Sequence, residues 1–187
     1  MKGALGKLKV LPLTPDLWPA MEDLFGNQGP CSRCWCMYWR KGAAYRREPP
    51  ERNKGAFRDL VLNGPPPGLL GFDDDLSVGS CQLTPRDALP WLNRVAELKG
   101  TDDIPVWAIS CFYIRKGYGR RGFTSALIEA SIAAAREACA PALEAYPLDA
   151  RLTPSTSFTG YSSTFSRLGF RTVSRKVAAQ PIMRLDL

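Results

Sequence analysis

Two hydrophobic rhythms alternate along the chain. Leu8–Leu13 reads as a short strand. Thr14-Pro15-Asp16 then opens a helix, with Thr14 as cap, Pro15 in the first turn and Asp16 favourable to the helix dipole. That helix runs to about Phe25 and stops before Gly26-Asn27. Gly55–Leu62 has helical character and ends at Asn63-Gly64, with Pro65–Pro67 as a hard stop. Leu69–Phe72, the turn Asp73-Asp74-Asp75 and Leu76–Leu83 read as an antiparallel hairpin. Asp87–Lys99 reads as a loop or short helix, and Val106–Ile114, an almost unbroken run of β-formers, as a strand buried on both faces. Phe123 to about Ala138 places Phe123, Ala126, Leu127, Ala130 and Ala134 at helical spacing. Ala142–Tyr146 is a short strand, Pro147–Thr159 a loop, and Tyr161–Leu168 a helix closed by Gly169. Arg171–Val177 and Ile182–Leu187 supply two last strands. This order predicts a mixed α/β domain around one sheet.

At 187 residues, with 45% hydrophobic and 23% charged positions, the chain has the composition of one globular domain. Lys and Arg number 25 against 18 Asp and Glu, a net +7 that favours anionic partners. Histidine is absent. This excludes Ser-His-Asp and Cys-His catalytic units and every His-containing metal site. No segment has the length or apolarity of a membrane span, and Lys2, Lys7 and Lys9 interrupt the start, so no secretory leader and no membrane partner are expected. Six unevenly spaced cysteines do not form a disulfide framework, and a cytoplasmic protein with free thiols is expected.

The element richest in chemistry joins Val106–Ile114 to the helix at Phe123. Gly117, Gly119 and Gly122 let the backbone turn tightly, the first helical turn leaves N–H groups unpaired, and Arg115, Lys116, Arg120 and Arg121 flank the point. Such a turn suits a pyrophosphate, although a solvated basic loop capping a helix accounts for it as well. A Walker A ending is missing, and the near-match to a Rossmann fingerprint lacks the acidic residue at a second strand end.

Ile114–Leu127 resembles the acetyl-CoA-binding motif of the GNAT N-acetyltransferase family, a strand followed by a Gln/Arg-x-x-Gly-x-Gly/Ala loop. Here Gly119-Arg120-Arg121-Gly122-Phe123-Thr124 is the loop, with Gly119 replacing Gln or Arg and Thr124 replacing Gly or Ala. Thr164–Phe170 (T-F-S-R-L-G-F) resembles the family's second landmark. The resemblance implies a single domain over residues 1–187, with a mixed, mostly antiparallel sheet, a splayed strand pair and helices on both faces. It implies that acetyl-CoA lies with its pantetheine arm on the backbone of Cys111, Phe112, Tyr113 and Ile114. Its pyrophosphate would sit on the loop Gly119, Arg120, Arg121, Gly122, Phe123 and Thr124. An amine on a small molecule or peptide then attacks the thioester directly.

The family's general-acid tyrosine falls at Phe165, and the asparagine often found seven residues earlier at Phe158. Tyr161, one helical turn before Phe165, is the substitute candidate acid, with packing alone as its alternative. Glu144, the sole acid on its strand, is the candidate base, against a plain surface ion pair; Tyr146 and Asp149 are second choices. Cys31, Cys34 and Cys36 form C-x-x-C-x-C among Trp35, Met37, Tyr38 and Trp39. A zinc there would need Cys81, Cys111 or a carboxylate as fourth ligand, so packing or an acceptor-pocket role is expected instead of a metal. Basic residues from Arg40 to Arg58 are interleaved with Glu48, Glu51 and Asp59, which describes a solvated face and not a nucleic-acid site. The sequence therefore predicts an acetyl-CoA-dependent N-acetyltransferase, monomeric or homodimeric, with a catalytically weak or inactive CoA-binding module as the alternative.

Overall fold

The computed structural model describes residues 8–26, 31–150 and 158–187. Lys2, Lys7, Asn27 and the middle of the Pro147–Thr159 loop lie outside these residues. Seven strands form one sheet: β1 (Leu8–Pro12), β2 (Gly68–Asp73), β3 (Leu76–Pro85), β4 (Trp107–Ile114), β5 (Ala142–Ala145), β6 (Arg171–Ser174) and β7 (Ile182–Asp186). Their order is β1-β2-β3-β4-β5-β7-β6, and every pairing is antiparallel except β4 with β5. The α-helices are α1 (Trp18–Phe25), α2 (Tyr38–Lys41), α3 (Pro50–Asn63), α4 (Pro90–Arg94), α5 (Phe123–Glu137) and α6 (Ser162–Arg167).

Alternation along the strands sends side chains to two apolar layers. On one face α5 lays Leu127, Ile128 and Ala135 over Leu83, Ile109 and Leu143, and Phe165 of α6 closes the end. The other face is covered by α1, α3 and the aromatic segment around Trp35, with Met21, Phe25 and Phe57 against Leu70 and Phe72. A third cluster joins Trp39, Leu89 and Leu92 to Ala108 and Tyr146. Helices thus cover both faces. Among the described residues no helix is long and apolar enough to cross a membrane.

Several local expectations change. Thr14 precedes a 3-10 turn at Pro15–Leu17, but its side chain makes no capping bond. The far half of β4 is only partly buried: Cys111 lines a cavity, while Tyr113 and Ile114 pack at the margins of the two apolar layers. Helix α3 begins at Pro50, five residues before the apolar pattern that marked it. Its first turns are held by a polar anchor: Asn53, fully buried, donates its amide to the carbonyls of Arg33 and Tyr45, each at 2.9 Å, and accepts from Lys41. In the basic stretch Lys41 pairs with Glu48 at 2.5 Å and Lys54 with Glu22 at 2.7 Å.

Asn53→Leu would leave two buried carbonyls without donors, a loss of about 2–3 kcal/mol. The melting temperature should fall by roughly 4–12 °C in a thermal scan. An unchanged melting temperature would show that residues 31–46 do not depend on this tie.

Candidate functional site

One extra residue in β4 sets the geometry of the site. Gln82 pairs with Cys111 and Leu83 with Ile109, so Ser110 has no partner of its own on β3 and forms a bulge. Immediately before it, the parallel pairing with β5 stops: Trp107, Ala108 and Ile109 match Leu143, Glu144 and Ala145, and nothing beyond is paired. A bulge bends its strand, and here β4 departs from β5 from Ser110 onward. Alternation then decides which backbone groups face the opening. Arg115 N–H bonds to Val78 on the β3 side, whereas Phe112 N–H points away from β3. Phe112 and Ile114 therefore face the gap, while Cys111 and Tyr113 turn their backbone to β3. Of the four residues expected to offer free backbone, these two are the ones turned away from β3. The Phe112 N–H already bonds the Phe158 carbonyl, at 2.5 Å.

Past Ile114 the chain turns through the glycine-rich loop into α5. Gly117 and Gly122 hold φ of 90° and 86°, and a Cβ built on Gly117, Gly119 or Gly122 meets nothing within 4 Å. Gly122 caps the 15-residue α5 in a left-handed conformation with no side chain over the first N–H groups and no acid in the first turn. That cradle is open to an anion. Not all the nearby arginines serve it: Arg115 binds Asp23 and the Ser77 carbonyl, and Arg121 lies over the rings of Tyr118 and Phe123 with Asp73 at 3.8 Å. Arg120 adopts φ 60° and is exposed.

On the face opposite α5, the bulge turns two adjacent side chains, Ser110 and Cys111, into one cavity of about 450 Å³. Its near wall comes from the segment expected either to pack or to line an acceptor pocket, with Cys31, Cys34, Cys36, Tyr38 and Trp39, and from Tyr45 beyond it. Leu148, Phe158, Thr159 and Gln180 form the far wall, and among the described residues Arg46 is the one charged residue on the lining. Gln82 ties wall to floor, accepting from the Ser110 hydroxyl at 2.8 Å and donating to the Cys36 carbonyl at 3.1 Å. Trp39 donates its indole N–H to the Ser110 carbonyl. No Asp or Glu lines the cavity, and residues 1–7, 27–30 and 151–157 contain none in sequence. Among the described residues no group of three or more Cys, Asp or Glu is placed to hold a metal ion.

Glu144 lies elsewhere. It is 1% exposed, with Arg184 on one oxygen (2.7 and 3.1 Å) and both Arg86 (3.0 Å) and the Tyr146 hydroxyl (3.1 Å) on the other. Arg184 grips Asp102 in a fork at 2.7 and 3.0 Å, which raises the guanidinium pKa and lowers that of the carboxyl. Burial, and then the neighbouring Glu144 charge, push the Tyr146 phenol well above its ordinary range. Glu144 is thus the anchor of a buried ionic cluster, in place of the proton acceptor expected from the sequence. Tyr161 precedes α6 in extended conformation, bridged to Leu148, and is not among the cavity-lining side chains. Asp149 is buried beside Arg175. Phe165 is core, its ring 6.1 Å from Phe112 and 5.1 Å from Phe170. Sequence reasoning passed over Gln82 and Ser110, whose signal was present: each is a polar residue inside an apolar strand run.

No protein-family model matches the chain, and no curated protein matches it in sequence. Solved structures do. A GNAT-family acetyltransferase from Listeria monocytogenes superposes with TM-score 0.60 over 100% of this chain and 99% of its own, at 12% identity. PaiA N-acetyltransferase from Thermoplasma acidophilum, in complex with coenzyme A, gives 0.54 over 97% and 99%, at 10% identity. The polyamine N-acetyltransferase of Drosophila melanogaster, which forms N-acetylagmatine, gives 0.60 over 97% and 100%, also at 10% identity. The fold is that of the GNAT acetyltransferases.

Glu144→Gln removes the charge between two buried guanidiniums at nearly constant shape. It should destabilise the protein by about 3–5 kcal/mol and lower its melting temperature by roughly 6–20 °C. A variant that melts with the native protein but loses turnover would instead return Glu144 to the chemistry.

Proposed function

We propose that the protein is an acyl-CoA-dependent N-acyltransferase with acetyl-CoA as donor. The observation that carries this reading is the course of β4: the strand that parts from β5 at Ser110 leads through a glycine-rich turn into an uncapped helix N-terminus, with open space at Gly117, Gly119 and Gly122. The pyrophosphate would rest on the N–H groups of Gly122, Phe123 and Thr124, with Gly119, Arg120 and Arg121 beside it. The pantetheine arm would pair with Phe112 and Ile114, displacing the Phe158 carbonyl, as Cys111 and Tyr113 line its path. The donor supplies a thioester carbon that an amine attacks directly.

The cavity sets the acceptor class. With no carboxylate to meet a second or third ammonium, it disfavours polyamines, whereas Tyr38, Trp39 and Tyr45 offer ring faces to an apolar body or a single ammonium. Arg46 suits an anionic substituent. The preferred acceptor is an amine on an aromatic or apolar frame, neutral or carrying a carboxylate, a class that includes the N-terminus of a peptide. Without a cavity carboxylate as base, the amine must arrive neutral. Tyr161 remains a candidate acid only if it swings toward the cavity. The second reading, a CoA-binding module without turnover, draws on Phe165 at the usual tyrosine position.

Saturating acetyl-CoA should raise the melting temperature by roughly 5–11 °C, and Gly122→Val, compared with its own unliganded state, should lose most of that shift. No shift with acetyl-CoA, CoA or longer acyl-CoA would overturn the reading; a shift without turnover on any amine would select the binding module.

For two acceptors whose amines differ in pKa, the rise of kcat/KM with pH should follow each amine. A common inflection for both would reveal a base on the protein.

A further inference from the structure

The cavity gathers four of the six cysteines, and two of them, Cys36 and Cys111, are joined through one residue: the Gln82 backbone pairs with Cys111 and its side-chain amide donates to the Cys36 carbonyl. Ser110, Gln82 and the Cys36 carbonyl form a chain of hydrogen bonds that pins the 31–37 segment over β4. The bulge aims Cys111 into the same space. Trp35 and Cys36 both hold left-handed backbone, φ 45° and 57°, which non-glycine residues adopt only when their surroundings impose it.

We propose that Cys36 and Cys111 are a dithiol modification site, oxidised to a disulfide by hydrogen peroxide that enters the cavity. Cys111 attacks and Cys36 resolves. The Cys111 thiolate sulfur takes the near oxygen of the peroxide; the O–O bond breaks and hydroxide leaves, giving Cys111 sulfenic acid. The Cys36 sulfur then attacks the Cys111 sulfur, the S–O bond breaks, and the hydroxyl leaves as water with the Cys36 proton. Hydroxide recovers the proton that Cys111 had given to solvent. Two thiols lose two electrons, and the peroxide becomes two waters.

The division of roles follows from the mutual influence of the two thiols: each acts on the other, lowering the pKa of Cys111 and raising that of Cys36. Competing cysteines are less reactive or elsewhere. Burial raises Cys31 and Cys34, and holds Cys81 up at about 12, where it contacts Ser131. Cys139 is exposed, beyond the end of α5. The site shares Cys111 with the proposed donor path and both thiols with the acceptor cavity, but its test involves neither a donor nor an amine, so either reading can fail without the other.

The test uses the whole chain carrying Cys139→Ser, which removes the exposed thiol. After limiting hydrogen peroxide and alkylation of remaining thiols, a non-reducing tryptic digest should show Cys34–Arg40 joined to Gly100–Arg115. Two thiols should be lost per chain and recovered with dithiothreitol. Adding Cys34→Ser should leave the cross-link in place. Adding Cys36→Ser should abolish it and leave a Cys111 sulfenic acid that dimedone captures. A Gly100–Arg115 peptide that stays reduced, or that joins any cysteine other than Cys36, would overturn the proposal. So would a bridge closed between Cys34 and Cys36.

Discussion

One surplus residue in a central strand governs the architecture of this protein. Ser110 has no counterpart on β3, and absorbing it bends β4 where its pairing with β5 ends. Three consequences follow from that single misfit. Backbone groups of Phe112 and Ile114 are turned toward a gap inside a sheet that is otherwise continuous. Two adjacent side chains point to one face, which alternation would forbid. The strand is also re-aimed so that the glycine-rich turn delivers the start of α5 to the same end of the sheet. Removing one residue from β4 would restore the ladder and erase all three.

The cluster around Glu144 works in the opposite sense, holding together what the bulge separates. It spans β5, β7 and the two loops that carry Arg86 and Asp102, directly beside the last paired residues of β4 and β5. Burying a carboxylate and two guanidiniums costs several kcal/mol per ion before their attraction repays it, so the cluster is weak as a source of net stability. Its value is register. Ala108, Glu144 and Arg184 lie side by side across three strands, and a slip of one residue would place a charge against the apolar layer under α5.

The order of elements and the approximate bounds of all seven strands were legible in the sequence, because alternation and turn chemistry act locally. Features that depend on distant partners were not. The first turns of α3 carry P-E-R-N-K, with no apolar stripe, and are explained only by carbonyls that Arg33 and Tyr45 bring to Asn53. Glu144 as the lone acid on a short strand fitted a base equally well until Arg86 and Arg184, 58 and 40 residues away, took both its oxygens. The polar residues Gln82 and Ser110 were visible as interruptions in apolar runs, but their meaning lay in a register shift that no local pattern encodes. The glycine-rich turn was read closely, since backbone permissiveness is a property of the residues themselves.

Chain synthesis gives the ionic cluster one more meaning. Domains fold as units during synthesis, and Glu144 gains its second guanidinium only once Arg184, 40 residues later, has been made. Without β7, docking β5 would bury the carboxylate with Arg86 alone, beside an unpaired strand edge, which costs too much to be favoured. Closure of the sheet is thereby tied to the last strand of the chain.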